Sequence, residues 1–447
     1  MKILFVSLGC DKNLVDSEEM LGILHEQGHT ITNDEEEAEV IVINTCCFIH
    51  DAKEESIETI LEMVPYRTDG KCHALVVTGC LAERYRVEIG LEIPEVDAIV
   101  GVTAIDDIAR VIDEAIAGMT VSCFGDPNGL PQGANKRIVT TGGHYAYLKI
   151  AEGCDKHCTY CIIPKIRGDF RSVPMEKILV QAKQLVADGV KELVLVAQET
   201  TTYGIDLYGE KSLHKLLQEL CKIEDLVWVR LMYCYPEEIY EELIETVRTE
   251  PKICHYLDIP IQHASDNVLK RMGRKTSKKQ LLQVVKKLRQ EIPDIILRTT
   301  LITGFPGETK EDFEEVLAFV DEMEFDRLGV FTYSLEEDTP AALMDGQIDE
   351  ATKIERQAQI MELQQEISFD LGEQKIGREV QVFVEGKVVD EEAYVGRTYM
   401  DAPGVDGYIF INTDAQLISG DFVKVKVTGA LEYDLIGEII DGNEHPE

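Results

Sequence analysis

No stretch of the 447 residues approaches the roughly 18 consecutive apolar positions that a membrane-spanning helix needs. The N-terminal MKILFVSLGCDKN holds an apolar run too short for a signal-peptide core, so a cytoplasmic location is expected, with no membrane partner. Internal repeats and low-complexity tracts are absent, which excludes solenoids and repeat arrays. Basic residues are scarce: 44 Lys and Arg stand against 83 Asp and Glu, a net charge of −39. Such a chain repels phosphate, making nucleic acid and anionic membrane poor default partners. It suits a basic partner, or the charge serves solubility alone. What the chain does have is a 45% hydrophobic composition, enough for ordinary cores, and 12 cysteines. Cytosolic cysteines are rarely disulfides, so their placement must decide between metal, catalysis and buried thiols.

Charge and punctuation divide the chain in three. Residues 1–122, net −17, alternate β-rich runs (2–7, 40–44, 74–78, 98–100) with amphipathic patterns (14–27, 52–64, 106–117). This alternation predicts an α/β unit with a doubly wound parallel sheet. Residues 123–143 are Gly/Pro-rich and read as a linker. Residues 144–375 repeat the strand–helix alternation, with candidate strands at 145–150, 192–197, 227–232, 256–259, 296–302 and 328–333. That spacing fits an incomplete (β/α)6 barrel, whose chemistry would sit at the C-terminal ends of its strands. A long helical pattern (349–374) closes this part. Residues 376–442, followed by a short tail at 443–447, show five short strands (379–384, 393–398, 407–411, 422–428, 435–440) and predict a small antiparallel β-barrel. Residues 376–447 carry a net charge of −10.

Two groups of cysteines follow strand ends. Cys154, Cys158 and Cys161 form a C-x3-C-x2-C run after the first strand of the central part. Three thiolates so close favour an iron–sulfur cluster or zinc. Zinc would want a fourth ligand; His157 lies inside the run, where wrapping one ion would strain the loop. A [4Fe–4S] cluster with one open iron fits better. Cys10, Cys46 and Cys80 each lie just past a strand of the N-terminal sheet, at intervals of one βα unit. Equivalent strand ends share one sheet edge, so three thiols can converge at the ligand-binding crevice; incidental small residues at tight turns are the alternative. Cys47 could replace Cys46, since strand phase does not say which faces the crevice. Cys72, Cys123, Cys221, Cys234 and Cys254 have no mutual spacing and read as small buried hydrophobes.

Other strand-end loops of the central part are polar: Gln198–Glu199–Thr200, Ile261–Gln262–His263–Ala264–Ser265 and Thr303–Gly304–Phe305–Pro306–Gly307–Glu308. His263 reads as a structural hydrogen-bonder ahead of a catalytic acid or base. Arg298 lies within a strand; pointing inward it must meet an anion, either a ligand carboxylate or an internal acid such as Asp258. The basic run Lys270, Arg271, Arg274, Lys275, Lys278, Lys279, Lys286, Lys287 and Arg289 could track phosphate, but reads better as a solvated helix face.

The C-x3-C-x2-C run with Tyr160, on a six-unit β/α barrel, resembles the radical S-adenosylmethionine superfamily. With Cys10, Cys46 and Cys80 and a small C-terminal barrel, the whole chain resembles the methylthiotransferases. Ser7–Asn13 with Val15–Glu18, Asp258–Asp266 and Arg298–Ile302 are similar to the subfamily that modifies an aspartate of ribosomal protein S-twelve. The resemblance implies two [4Fe–4S] clusters, the second on Cys10, Cys46 and Cys80 with Cys47 a non-ligand, and a C-terminal domain of TRAM type. It implies that S-adenosylmethionine is cleaved at the Cys154/Cys158/Cys161 cluster and that a methylthio group is inserted at the aspartate β-carbon. Tyr160, Thr200, Gln262 and Arg298 are the expected cofactor contacts, from their strand-end positions. The expected partners are the basic S-twelve protein, free or in the small ribosomal subunit, and an electron donor that the sequence does not name. A tRNA methylthiotransferase acting on a modified adenosine beside the anticodon is the alternative, and a non-catalytic iron–sulfur electron carrier or redox sensor a distant one. A barrel gripping tRNA should carry a basic footprint, and this one is acidic.

Overall fold

The computed structural model describes residues 1–389 and 392–440. The tail expected at 443–447 lies outside the described residues.

The N-terminal sheet contains β1 (Lys2–Ser7), β2 (Thr30–Thr32), β3 (Val40–Thr45), β4 (Ala74–Gly79), β5 (Ala98–Val100) and β6 (Val121–Cys123), in the order β2-β1-β3-β4-β5-β6. All pairings are parallel. The β3 and β4 runs are buried on both faces, as a parallel sheet covered by helices on each side demands. Strand order reverses beside β1, which opens a crevice between the C-terminal ends of β1 and β3. The sequence pattern missed β2 and β6, which have three residues each at the sheet's edges.

The segment read as a linker is strapped onto the Asp11–Glu26 helix. Thr140 N donates to Glu18 Oε1 (2.6 Å), Ala134 N to Glu19 Oε2 (2.7 Å) and Lys136 N to Glu26 Oε1 (3.0 Å). Buried Arg137 pairs with Glu18 at 3.2 Å.

The central sheet runs in sequence order and does not close. It comprises β7 (Tyr145–Lys149), β10 (Glu192–Val196), β11 (Trp228–Leu231), β12 (Ile253–Asp258), β13 (Ile296–Thr303) and β14 (Arg327–Thr332), all parallel. A two-stranded antiparallel ribbon, β8 (Ala151–Glu152) and β9 (Arg171–Ser172), brackets the cysteine run. One sheet face packs on the helices, through residues such as Leu193, Leu195, Leu231 and Leu297.

The other face receives the C-terminal barrel: β15 (Glu379–Lys387), β16 (Ala393–Arg397), β17 (Ile409–Asn412), β18 (Phe422–Ala430) and β19 (Leu435–Ile439), closed in the order β15-β16-β17-β19-β18. Four strand pairs are antiparallel; β17 and β19 run parallel, where an all-antiparallel barrel was expected. Trp228 of β11 lies edge-on to Phe422 at 4.9 Å and to Phe383 at 5.9 Å, so barrel and central sheet share one apolar core. Polar groups inside this interface are paired. Glu192, fully buried, takes Arg230 Nε at 2.7 Å and Arg397 Nη2 at 2.7 Å. Arg327 meets Asp401 of the barrel. Both arginines hold Glu192 below its ordinary pKa against the opposing effect of burial.

Most of the basic run is indeed a solvated, ion-paired surface: Lys278 pairs with Glu315 (3.0 Å) and Lys286 with Glu322 (3.1 Å). Arg274 is the exception. It is 6% exposed and lies over the Tyr235 ring at 4.3 Å.

Candidate active site

The loop from Gly153 to Gly168 holds the central cysteines. Gly153 has φ 70°, and a Cβ there would sit 2.0 Å from the Asp169 carbonyl oxygen, so only glycine lets the loop turn back. Cys154 N then donates to Gly168 O (3.2 Å), Cys161 N to Cys158 O (3.0 Å) and Thr159 N to Met272 O (2.9 Å). His157 adopts a left-handed φ of 49° and contributes backbone shape to the loop. Cys154 and Cys158 are buried and Cys161 partly so. Burial pushes the Cys154 thiol up to about 11, and the neighbouring Cys158 adds to the rise. Tyr160 stands edge-on to Phe305 at 6.4 Å, and Tyr235 Oη approaches Cys158 Sγ at 3.9 Å.

The N-terminal cysteines meet at the crevice beside β1. Cys10 begins the Asp11–Glu26 helix, Cys46 follows β3 and Cys80 opens the Cys80–Arg84 helix after β4. Gly9, at φ 88°, makes the approach possible: a Cβ there would lie 2.7 Å from Cys46 Cβ and 2.9 Å from its sulfur. Cys46 thus faces the Cys10 loop, while Cys47 packs among the buried residues of the N-terminal core, including Leu75 and Leu81. Cys46 is pinned by Ser56, whose hydroxyl accepts from its N–H (3.0 Å) and donates to its carbonyl (2.8 Å). Burial raises the Cys46 thiol to about 12, with Cys80 and Cys10 near enough to add to it.

Among the described residues no three His, Cys, Asp or Glu side chains converge as they would on a single metal ion. The wider separation of ligands at the corners of a cluster remains compatible with both triads.

The two groups are neighbours. Lys12 lies 3.4 Å over the Tyr233 ring, and Tyr233 Oη donates to Asp11 Oδ1 (3.2 Å), so the residues after Cys10 dock on the strand ends of the central sheet. Tyr233 and Gln262 both hold positive φ (58° and 70°) at those strand ends; such strain clusters at functional sites. Gln262 exchanges backbone hydrogen bonds with β13. Gln198 offers something else: both ends of its side-chain amide are buried without a partner among the described residues. A polar ligand would satisfy it.

Two of the expected cofactor contacts are already spoken for. The Thr200 hydroxyl donates to Met232 O (2.8 Å), so it holds a strand end. Arg298 meets the internal acid that the sequence offered. Its guanidinium meets Asp258 at 2.9 Å and Asp406 of the C-terminal barrel at 3.3 Å, satisfying the buried charge internally. His263 accepts from Ser265 N at 3.0 Å and lies 3.6 Å from Glu308, a structural role.

Residues 2–101 match the uncharacterized protein family UPF0004, residues 148–320 the radical SAM superfamily and residues 376–440 the TRAM domain. The chain is 61% identical to the ribosomal protein uS12 methylthiotransferase RimO of Lachnoclostridium phytofermentans, over 98% of this chain and 99% of that one. The chain belongs to the RimO family. A second RimO, from Clostridium botulinum strain Eklund 17B, is 52% identical over 98% of each chain. Among solved structures, the radical S-adenosylmethionine methyltransferase TsrM of Kitasatospora setae, with cobalamin and a [4Fe–4S] cluster bound, shares the fold at a TM-score of 0.57. Its identity is 13%, over 76% of this chain and 74% of that one.

In this RimO-family chain the donor sets fit the groups that the family implies: two sets of three cysteines, and a buried unpartnered amide in the loop after β10. Sequence reasoning missed Gln198 as an individual residue, although its loop was singled out. It also missed Arg167, whose position six residues past Cys161 carried no recognised signal.

Proposed function

We propose that this chain is a radical S-adenosylmethionine methylthiotransferase that replaces a hydrogen on the β-carbon of an aspartate in ribosomal protein S-twelve with a methylthio group. It would act in the cytoplasm, where that substrate is made. The observation that carries the reading is the pairing of two cysteine triads at one domain boundary, in a chain whose relatives are uS12 methylthiotransferases over their full length.

Cys154, Cys158 and Cys161 would hold one [4Fe–4S] cluster, and Cys10, Cys46 and Cys80 the second. When bound, these groups with S-adenosylmethionine supply the electron, the radical and the sulfur that an unactivated C–H bond requires and that ordinary side chains lack. The protein's work is placement and exclusion. Gly153 and Gly9 allow the tight backbone approaches that gather each triad. Tyr160 and Phe305 wall the central triad with aromatic surface. The Gln198 amide, with a donor and an acceptor both free, orients the polar part of S-adenosylmethionine. Its replacement by Ala should weaken S-adenosylmethionine binding by about tenfold, the cost of roughly one buried hydrogen bond. Calorimetric titration of the reconstituted protein reads this directly; unchanged affinity would remove Gln198 from the site.

The net charge of −10 over residues 376–447 suits a basic protein partner better than tRNA, although part of it is taken up internally, as where Asp401 is buried against Arg327. The exposed face of β18 carries Lys424, opposite Gln381, and Lys426, between Glu379 and Glu438. The substrate is therefore tested chemically. In a strain lacking this gene, mass spectrometry should show S-twelve without its methylthio group and tRNA unchanged. Loss of a tRNA modification with S-twelve intact would select the tRNA reading.

A further inference from the structure

One short segment reaches both triads. The Ile163–Arg167 helix begins two residues after Cys161. Ile162 and Ile166, each 2% exposed, are buried in the core of the N-terminal domain beside Cys47, Cys80 and Leu81. Arg167, equally buried, ends the segment. Its Nη2 donates to Asn13 Oδ1 (3.0 Å) and Asp16 Oδ2 (2.9 Å), on the helix that Cys10 begins. Its Nη1 donates to both Glu152 oxygens at 3.2 Å, on the ribbon that precedes Cys154. Lys149 pairs with the same two acids. Two cations and two carboxylates make this group neutral by itself, and the N-terminal triad lies against it: Asn13, which accepts from Arg167, donates to Thr45 O (3.0 Å) beside Cys46 and to Leu8 O (2.8 Å) before Cys10, and Cys80 shares the apolar core of Ile166.

We propose that Arg167 is a positioning residue for methylthio transfer: it locks the N-terminal triad against the segment bearing the central triad, and its charge raises the reduction potential of a cluster held by Cys10, Cys46 and Cys80. The proposal rests on the two-cluster reading above. A cluster on three thiolates is anionic and gains a further negative charge on reduction. Without the guanidinium the buried Asp16 and Glu152 carboxylates outnumber Lys149, leaving a weakly screened negative charge beside those ligands that disfavours the reduced form. A plain structural strut would stabilise the fold without moving the potential.

The test uses the full-length chain with Cys154, Cys158 and Cys161 changed to Ala, so that only the N-terminal triad can carry iron. After anaerobic reconstitution, iron is counted and the cluster is titrated by electron paramagnetic resonance. Arg167→Gln should lower the potential by at least a tenfold change in the oxidised-to-reduced ratio, about 59 mV for one electron. Arg167→Lys, which keeps the charge but not the fork, should restore most of it. A loaded cluster with unchanged potential in Arg167→Gln overturns the proposal, even if the protein is less stable. Should Arg167→Gln not fold, Arg167→Lys decides: the parent's potential supports the proposal, and a fall as large as that expected for Gln overturns it. A parent that binds no iron overturns the two-cluster reading and this proposal with it.

Discussion

Cys158→Ala should abolish reductive cleavage of S-adenosylmethionine, whereas Cys46→Ala should leave cleavage running and abolish sulfur insertion. Each loss should exceed about 10³-fold, because no other group in the chain supplies the missing radical or sulfur chemistry. The asymmetry follows from the placement of the two thiols. Cys158 sits in the loop after β8, beside Tyr160 and Tyr235. Cys46 sits in the β1–β3 crevice against Gly9 and Cys10. Chromatography of 5′-deoxyadenosine measures the first activity and mass spectrometry of the substrate the second. Anaerobic iron analysis should find each variant lacking the iron of one cluster. Equal loss of both activities in Cys46→Ala would mean that the N-terminal triad is needed for the central one to work, and would contradict separate roles.

The second large effect lies away from the chemistry. Glu192→Ala should destabilise the protein by about 3–5 kcal/mol, because it strands the fully buried Arg230 guanidinium and takes from buried Arg397 one of its two carboxylates. Arg230 takes its carboxylate partner from Glu192, while Arg397, from the C-terminal barrel, shares Glu192 and also holds Glu385 of its own domain. Urea denaturation of the apo-protein should show a lower midpoint, and barrel and central sheet should unfold together in the parent because they share one core. Acid should produce a milder form of the same loss. Glu192 has a lowered pKa in the folded state, so the stability it contributes is fully present above its unfolded pKa, near 4.5. It is lost as pH falls from there through the lower folded value. A Glu192→Ala midpoint equal to the parent's would show that the barrel is held by its aromatic contacts alone.

Much of this fold was legible in the sequence because buried parallel strands announce themselves. The runs at 40–45 and 74–79 are apolar almost throughout, as two-sided burial requires. β2 and β6 left no such mark, since a three-residue edge strand is defined by its neighbour more than by its own pattern. The parallel β17–β19 pair was hidden for a related reason: pattern reports a strand, and only the folded barrel reports its partner.

At the site, local spacing exposed both cysteine groups. What it could not supply was contact between distant parts of the chain. Arg298 was placed on the correct strand, but its second acid, Asp406, comes from a different domain. Cys46 and Cys47 alternate in direction, and Gly9, far from both in sequence, shows which one meets Cys10. Arg274 belonged to a run whose other members are solvated, and only packing against Tyr235 sets it apart. Arg167 bridges two domains that the sequence shows one after the other.

The most direct test of the whole account is transfer of a labelled methylthio group. The anaerobically reconstituted protein is given a strong reductant, S-adenosylmethionine bearing a deuterated methyl group, and purified ribosomal protein S-twelve. Peptide mass spectrometry should place a deuterated methylthio group on a single aspartate, with none in the Cys46→Ala variant. An unmodified S-twelve beside labelled tRNA, or a modification that survives Cys46→Ala, would contradict it.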